Sequence, residues 1–193
     1  DRFGPKRVID TPIAEGGFTG AAIGMAMNGM KPIVEMMTWN FSFQAADQII
    51  QNAAKLHYFS GGQVNVPLVI RGPNGGGVQL SAQHTHSLEG FYGHFPGLTV
   101  VSPATPYDVK GMMLTAIRNP NPVVFLEAGA LYGTKGEVPD GEYTVEFGKA
   151  RVAREGTDIT LISYGRQVNL LLKVAERLEA EEKVSAEVID LRS

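Results

Sequence analysis

Short apolar runs punctuate the chain: Pro67–Ile70, Leu98–Ser102 and Val123–Leu126, with Ile159–Tyr164 and Ala186–Leu191 strand-like but broken by polar residues. Continuous runs, rather than apolar–polar alternation, are what strands buried on both faces of a parallel sheet require. Lys31–Met37 adds a further strand, as does Arg7–Ile13, which Pro12 interrupts. Between the runs lie helical periodicities. Phe18–Asn28 is built of small residues and methionines. Phe43–Tyr58 spaces Phe43, Ala46, Ile50, Ala53, Ala54 and His57 as a helix does, with Asn40 or Ser42 available as its cap. Pro106–Arg118 turns Val109, Met112, Met113, Ala116 and Ile117 to one side, and Leu170–Glu179 closes the set. Alternation of this kind predicts an α/β fold with a mostly parallel sheet flanked by helices.

The character changes at Gly129. The stretch from there to Thr157 is polar and rich in turns and reads as a linker, with an edge hairpin over Tyr143–Ala153. The expected organisation is an α/β domain over 1–128, a linker over 129–157 and a β-α-β unit over 158–193. One such unit cannot cover its own sheet, so it reads as the start of a truncated second α/β domain. In the first helix, Gly20 and Gly24 are four apart. Each costs ~1 kcal/mol against alanine in a helix interior, and a closely approaching second helix, between subunits for instance, would compensate.

Composition narrows the class of protein. The 193 residues are 44% hydrophobic and 19% charged, with net charge −3. That balance leaves no basic footprint for nucleic acid or an anionic membrane, and no run is long enough to span a bilayer. The charged start DRFGPKRVID is unlike a signal peptide, so the cytoplasm is the default location. The absence of cysteine removes disulfides, thiolate nucleophiles and cysteine-bound metals.

Candidate chemistry gathers in Pro67–Gly97. There an apolar run ends at Arg71, a loop carries Gly75–Gly77, and Gln83-His84-Thr85-His86 follows. Open α/β sheets build sites beyond the carboxyl ends of their strands. The glycines also suit plain turns, and the histidines a surface or a core. His84, His86 and His94 lie within one short stretch, but no acidic residue sits at ligand spacing to complete a metal site. Glu15 stands at the mouth of the glycine-rich helix. It fits either a dipole-favouring first-turn acid or a partly desolvated carboxylate that shares a proton with a ligand nitrogen. Met36–Phe41 fits either core or a slot for a flat heteroaromatic ring, with Gln44 offering an amide to the ring edge. GxSxG, P-loop and GxGxxG patterns are absent from the sequence.

The phrases DTPIAEGGFTGAAIGMAMNGMKPIVE, TWNFSFQAADQIIQNAAK, YFSGGQVNVPLVIRGPNGG, AQHTHS, GHFPGLTVVSP and NPNPVVFLE resemble, in collinear order, beta subunits of the 2-oxo acid dehydrogenase decarboxylating component. The resemblance implies a thiamine-diphosphate (pyrimidine-type) domain followed by a transketolase C-terminal-like domain. It implies that Glu15 hydrogen-bonds the aminopyrimidine of thiamine diphosphate and that Met37, Phe41 and Gln44 line that ring. It makes His84 the active-site histidine that handles the acyl group. A structural potassium ion on backbone oxygens near Leu68, Ala116, Ile117, Asn119 and Asn121 is a further implication, although Asn119 replaces a common aspartate. His86 stands where many relatives have glutamine, and Ala128-Gly129-Ala130 replaces a more polar segment.

The family's diphosphate and magnesium motif, GDG followed by asparagine, is missing. The resemblance therefore implies that an alpha subunit supplies it, in an alpha2beta2 heterotetramer that passes the acyl group to a lipoyl domain. The expected substrate is pyruvate or a branched-chain 2-oxo acid. The location would be the cytoplasm, or the mitochondrial matrix or plastid in a eukaryote. The rivals are a transketolase or deoxyxylulose-phosphate-synthase-like thiamine enzyme and a catalytically silent interaction subunit.

Overall fold

The computed structural model describes residues 2–77 and 79–193. In chain order the elements are α1 (Glu15–Met27), β1 (Ile33–Glu35), α2 (Leu56–Phe59), β2 (Val69–Asn74), α3 (Glu89–Gly93), β3 (Thr99–Val101), α4 (Pro106–Arg118) and β4 (Val123–Ala128). They continue with β5 (Arg151–Arg154), β6 (Ile159–Ser163), α5 (Arg166–Arg177) and β7 (Ala186–Asp190).

The first four strands form one parallel sheet in the order β1-β2-β4-β3. Side chains alternate across a strand, so each apolar run supplies two layers. Leu68, Ile70, Val124 and Leu126 pack on one face with Met36, Trp39, Ile49 and Tyr92. Val69, Val123 and Phe125 pack on the other with Met112, Ala116 and Val145. This double burial is why the runs lack alternation. Thr105 caps α4 by accepting the Asp108 N–H at 3.1 Å, and Pro106 occupies the first turn, where its missing donor costs nothing.

Four expectations change. Arg7–Ile13 is no strand: the segment is exposed and makes no ladder, and β1 forms the sheet edge in its place. The helix expected over Phe43–Tyr58 is wound instead as a 3-10 turn (Trp39–Ala45), a π-helical turn (Gln48–Ala53) and α2. Neither proposed residue caps it: Ser42 donates to the Trp39 carbonyl at 2.5 Å, and the Asn40 amide turns to His86. The strand expected over Pro67–Ile70 runs on to Asn74, because Arg71–Asn74 stay in register with Phe125–Ala128. The hairpin expected over Tyr143–Ala153 does not form; Arg151–Arg154 pairs antiparallel with β7.

β5, β7 and β6 make a second, three-stranded sheet, with β6 parallel to β7 and α5 packed on it through Val168 and Ala175. Asp108 of α4, fully buried, meets Arg192 beyond β7 at 2.8 Å. The Ser102 N–H bonds the Arg192 carbonyl at 2.9 Å, tying the end of β3 to the end of β7.

Candidate active site

The carboxyl ends of β1 and β2 lie side by side, and one glycine permits what gathers there. A Cβ on Gly72 would collide with the Met36 carbonyl, so only glycine lets β2 pass beneath the turn leaving β1. At the opposite edge of the sheet, ahead of β3, Gly97 at φ +98° lies against the backbone of Ala54 in the same way.

Past β1 the chain enters the 3-10 turn Trp39–Ala45. Trp39 is fully buried, donates its indole N–H to the Phe125 carbonyl at 3.2 Å, and packs edge-to-face on Tyr92 with ring centres 5.1 Å apart. The Tyr92 hydroxyl donates to Ser42 at 2.6 Å, and burial pushes the phenol up to about 12, an effect the Ser42 bond opposes. These contacts root the turn in the core.

The turn packs against α1 on one side and against the short turn Ala82–His84 on another. At the α1 contact, a Cβ on Gly16 would sit 3.1 Å from the Gln44 carbonyl. Glu15, the preceding residue, is buried at 6% exposure, and its Oε2 has no hydrogen-bond partner among the described residues. A buried carboxylate oxygen without a partner is costly, and an external donor is the usual resolution. On the other side, the Phe41 ring meets His84 edge-to-face at 5.2 Å. Met37 is exposed, Phe41 and His84 are half-buried, and Gln44 is exposed. Of the residues expected beside an aromatic cofactor ring, Phe41 and Gln44 lie on this turn and Met37 two residues before it.

The residues expected for potassium gather elsewhere, where α4 ends beside the start of β2. The carbonyls there are already in use: Leu68 accepts from Val123 at 2.8 Å and Ala116 from Asn119 at 3.2 Å. Asn119 Oδ1 accepts from the Asn121 N–H at 2.9 Å.

Sequence reading missed a charged cluster on the opposite face of the sheet. Arg71 donates from Nε to Glu127 at 2.5 Å, from Nη2 to the same carboxylate, and from Nη1 to Glu35 at 2.6 Å. Tyr132 donates to Glu127 at 2.8 Å. The Glu127 bond holds the guanidinium protonated above its ordinary range; burial, then the Glu127 bond, raises the Tyr132 phenol. The available signal was a charged residue at the carboxyl end of each of three strands. Two cavities, of about 300 and 340 Å³, flank α4 on this side, and none of the expected site residues lines them.

The first sheet thus belongs to a parallel α/β domain in which a buried, unpartnered carboxylate lies beside an aromatic-bearing turn. The pattern of the family described as "Transketolase, pyrimidine binding domain" matches residues 1–135, and that of "Transketolase, C-terminal domain" matches residues 148–193. The chain belongs to the transketolase pyrimidine-binding family. It is 51% identical over 193 residues to the pyruvate dehydrogenase E1 component subunit beta of Rickettsia conorii, spanning 100% of this chain and 59% of that protein. It is 50% identical over 196 residues to the mitochondrial counterpart of Saccharomyces cerevisiae, spanning 54% of that protein. Among solved structures, a split-gene transketolase described as an inactive beta4 tetramer matches with TM-score 0.81 at 23% identity, over 100% of this chain and 59% of its own. A transketolase of Pichia stipitis matches with TM-score 0.72 at 17% identity, over 92% and 25%. The chain spans less than two thirds of the length of these relatives.

Proposed function

We propose that this chain is the cofactor-facing part of the beta subunit of a pyruvate-type 2-oxo acid dehydrogenase decarboxylating component, and that it works with an alpha subunit. The observation that carries the reading is the unpartnered Oε2 of buried Glu15 beside the Trp39–Ala45 turn. Thiamine diphosphate, when bound, supplies the carbanion chemistry by which a 2-oxo acid loses carbon dioxide. Glu15 would hold a proton on the ring nitrogen of the aminopyrimidine, and Phe41, Met37 and Gln44 would orient that ring. His84, steadied by Phe41, would handle a proton at the acyl group as it passes to a lipoyl domain. The GDG pattern for diphosphate and magnesium does not occur in these residues, and an alpha subunit would hold that end of the cofactor. A potassium ion at Leu68, Ala116, Ile117, Asn119 and Asn121 would have to share the Leu68 and Ala116 carbonyls, which already accept N–H bonds.

Identities near 50% to proteins named pyruvate dehydrogenase favour pyruvate over a sugar-phosphate substrate, since the transketolase likenesses run at 16–23%. Among the described residues no helix is long and apolar enough to cross a membrane. The yeast relative is named mitochondrial, which favours the matrix for a eukaryotic source and the cytoplasm for a bacterial one. The deciding experiment uses the complete subunit assembled with its alpha partner. Glu15→Gln should lower turnover of pyruvate by more than a hundredfold, on the scale of a lost proton-transfer group, with secondary structure by circular dichroism unchanged. A wild-type rate would remove Glu15 from the chemistry, and turnover of branched-chain acids alone would move the substrate assignment.

A further inference from the structure

A 3-10 turn has three residues per turn, so side chains three apart eclipse one another. Asn40 and Phe43 therefore share one side of the Trp39–Ala45 turn, and Phe41 points away from them. The strap after the glycine loop matches this arrangement residue for residue. Asn40, which is 8% exposed, contacts His86 Nδ1 through its amide nitrogen. Phe43 meets the same imidazole edge-to-face at 5.9 Å, and Phe91 of α3 backs Phe43 at 5.4 Å. Two residues earlier, His84 meets Phe41.

The backbone of the strap is anchored at the same place. Gly75 N–H donates to the His86 carbonyl at 2.8 Å, and the Asn74 side chain accepts the Leu88 N–H at 3.1 Å. Residues 82–87 are exposed, His86 included, apart from half-buried His84, and the hydroxyl of Thr85 reaches no further than the Ala82 carbonyl. The strap has no apolar core of its own to keep His84 in place. Side-chain contacts with the turn add to those backbone bonds.

We propose that His86 is a positioning residue: gripped between Asn40 and Phe43, it fastens the His84 strap to the cofactor-side turn and keeps His84 against Phe41. This rests on the function proposed for His84 and Phe41. The Asn40 amide donates to Nδ1, so the ring proton of neutral His86 sits on Nε2. A glutamine at position 86 offers a side-chain oxygen that can accept the same bond.

The test uses the complete subunit assembled with its alpha partner and reads hydrogen–deuterium exchange at Gly75 and at residues 84–88. His86→Ala and Asn40→Ala should each speed exchange there by about fivefold, the loss of one ordinary net hydrogen bond. The double variant should exchange no faster than either single one, and His86→Gln should restore protection. Emission from Trp39, the only tryptophan, reports whether the core beneath is intact. In kinetics, His86→Ala should lower the rate of acyl transfer to the lipoyl domain while leaving the dissociation constant of thiamine diphosphate unchanged, with rescue by His86→Gln. Unchanged exchange in both single variants, additive effects in the double, or no rescue by glutamine would overturn the proposal. His84→Ala separates the two readings: if acyl transfer survives it while the exchange pattern holds, the role of His84 falls and the fastening by His86 stands.

Discussion

Replacing Arg71 by methionine removes one cation from between two carboxylates while keeping a similar apolar stem. Glu127 is 8% accessible and takes two bonds from the guanidinium; Arg71 itself is 27% accessible, and Glu35 is 65% accessible. The Glu35 arm faces water and is worth at most ~1 kcal/mol. The Glu127 arm differs, because without Arg71 a buried carboxylate keeps only the Tyr132 hydroxyl. Breaking a buried pair from one side costs ~3–5 kcal/mol, and water reaching the space left by a partly open Arg71 should reduce that to ~2–3 kcal/mol. For a chain of this size the loss lowers Tm by roughly 4–12 °C. Thermal unfolding followed by circular dichroism and by Trp39 emission measures it. Combining Arg71→Met with Glu127→Leu should recover most of the loss, since the uncompensated charge leaves with its partner. A drop below ~1 kcal/mol for Arg71→Met, or additive losses in the double variant, would refute the view that the pair is coupled by burial.

Two other outcomes follow from particular contacts. A Cβ on Gly24 meets no atom within 4 Å, whereas one on Gly20 meets the Gln48 side chain at 3.2 Å. Gly24→Leu should therefore raise the subunit's own thermal stability by ~0.5–1 kcal/mol, the helix propensity that glycine lacks, while lowering the assembled mass in light scattering. An unchanged mass would place the subunit contact on another surface. Tyr92→Phe should cost ~1 kcal/mol through the lost bond to Ser42. The folded phenol titrates near 12 against 10.0 for the ordinary group. The stability it confers is thus fully present below pH 10 and is lost as pH rises through about 12. Tyr92→Phe should flatten that decline in urea titrations between pH 9 and 11, and an identical slope would show that the decline has another source.

Local chain chemistry determined much of this protein before any tertiary contact was known. The run at Val123 is a strand because continuous apolar residues suit a pleat buried on both faces. Pro106–Arg118 is a helix because its cap, its first-turn proline and its apolar spacing agree. The same local cues misjudged Arg7–Ile13, which has strand propensity but no neighbouring strand to accept its ladder. They also missed Arg71–Asn74, whose glycine and proline read as loop yet are held in register by β4. Winding of residues 39–45 as a 3-10 turn was likewise beyond reach, because that turn is rooted by Trp39 reaching the Phe125 carbonyl and by Tyr92 closing on Ser42.

The site divides along the same line. Glu15, Phe41, Gln44 and His84 were legible as residue types beside strand ends and glycines. The orphaned oxygen of Glu15, the grip of Asn40 on His86 and the clasp of Arg71 on Glu127 join residues up to 56 positions apart. A sequence specifies which groups exist and which local turns they favour. Which of them are stripped of water together, and so must find one another, is decided only when the sheets and helices close.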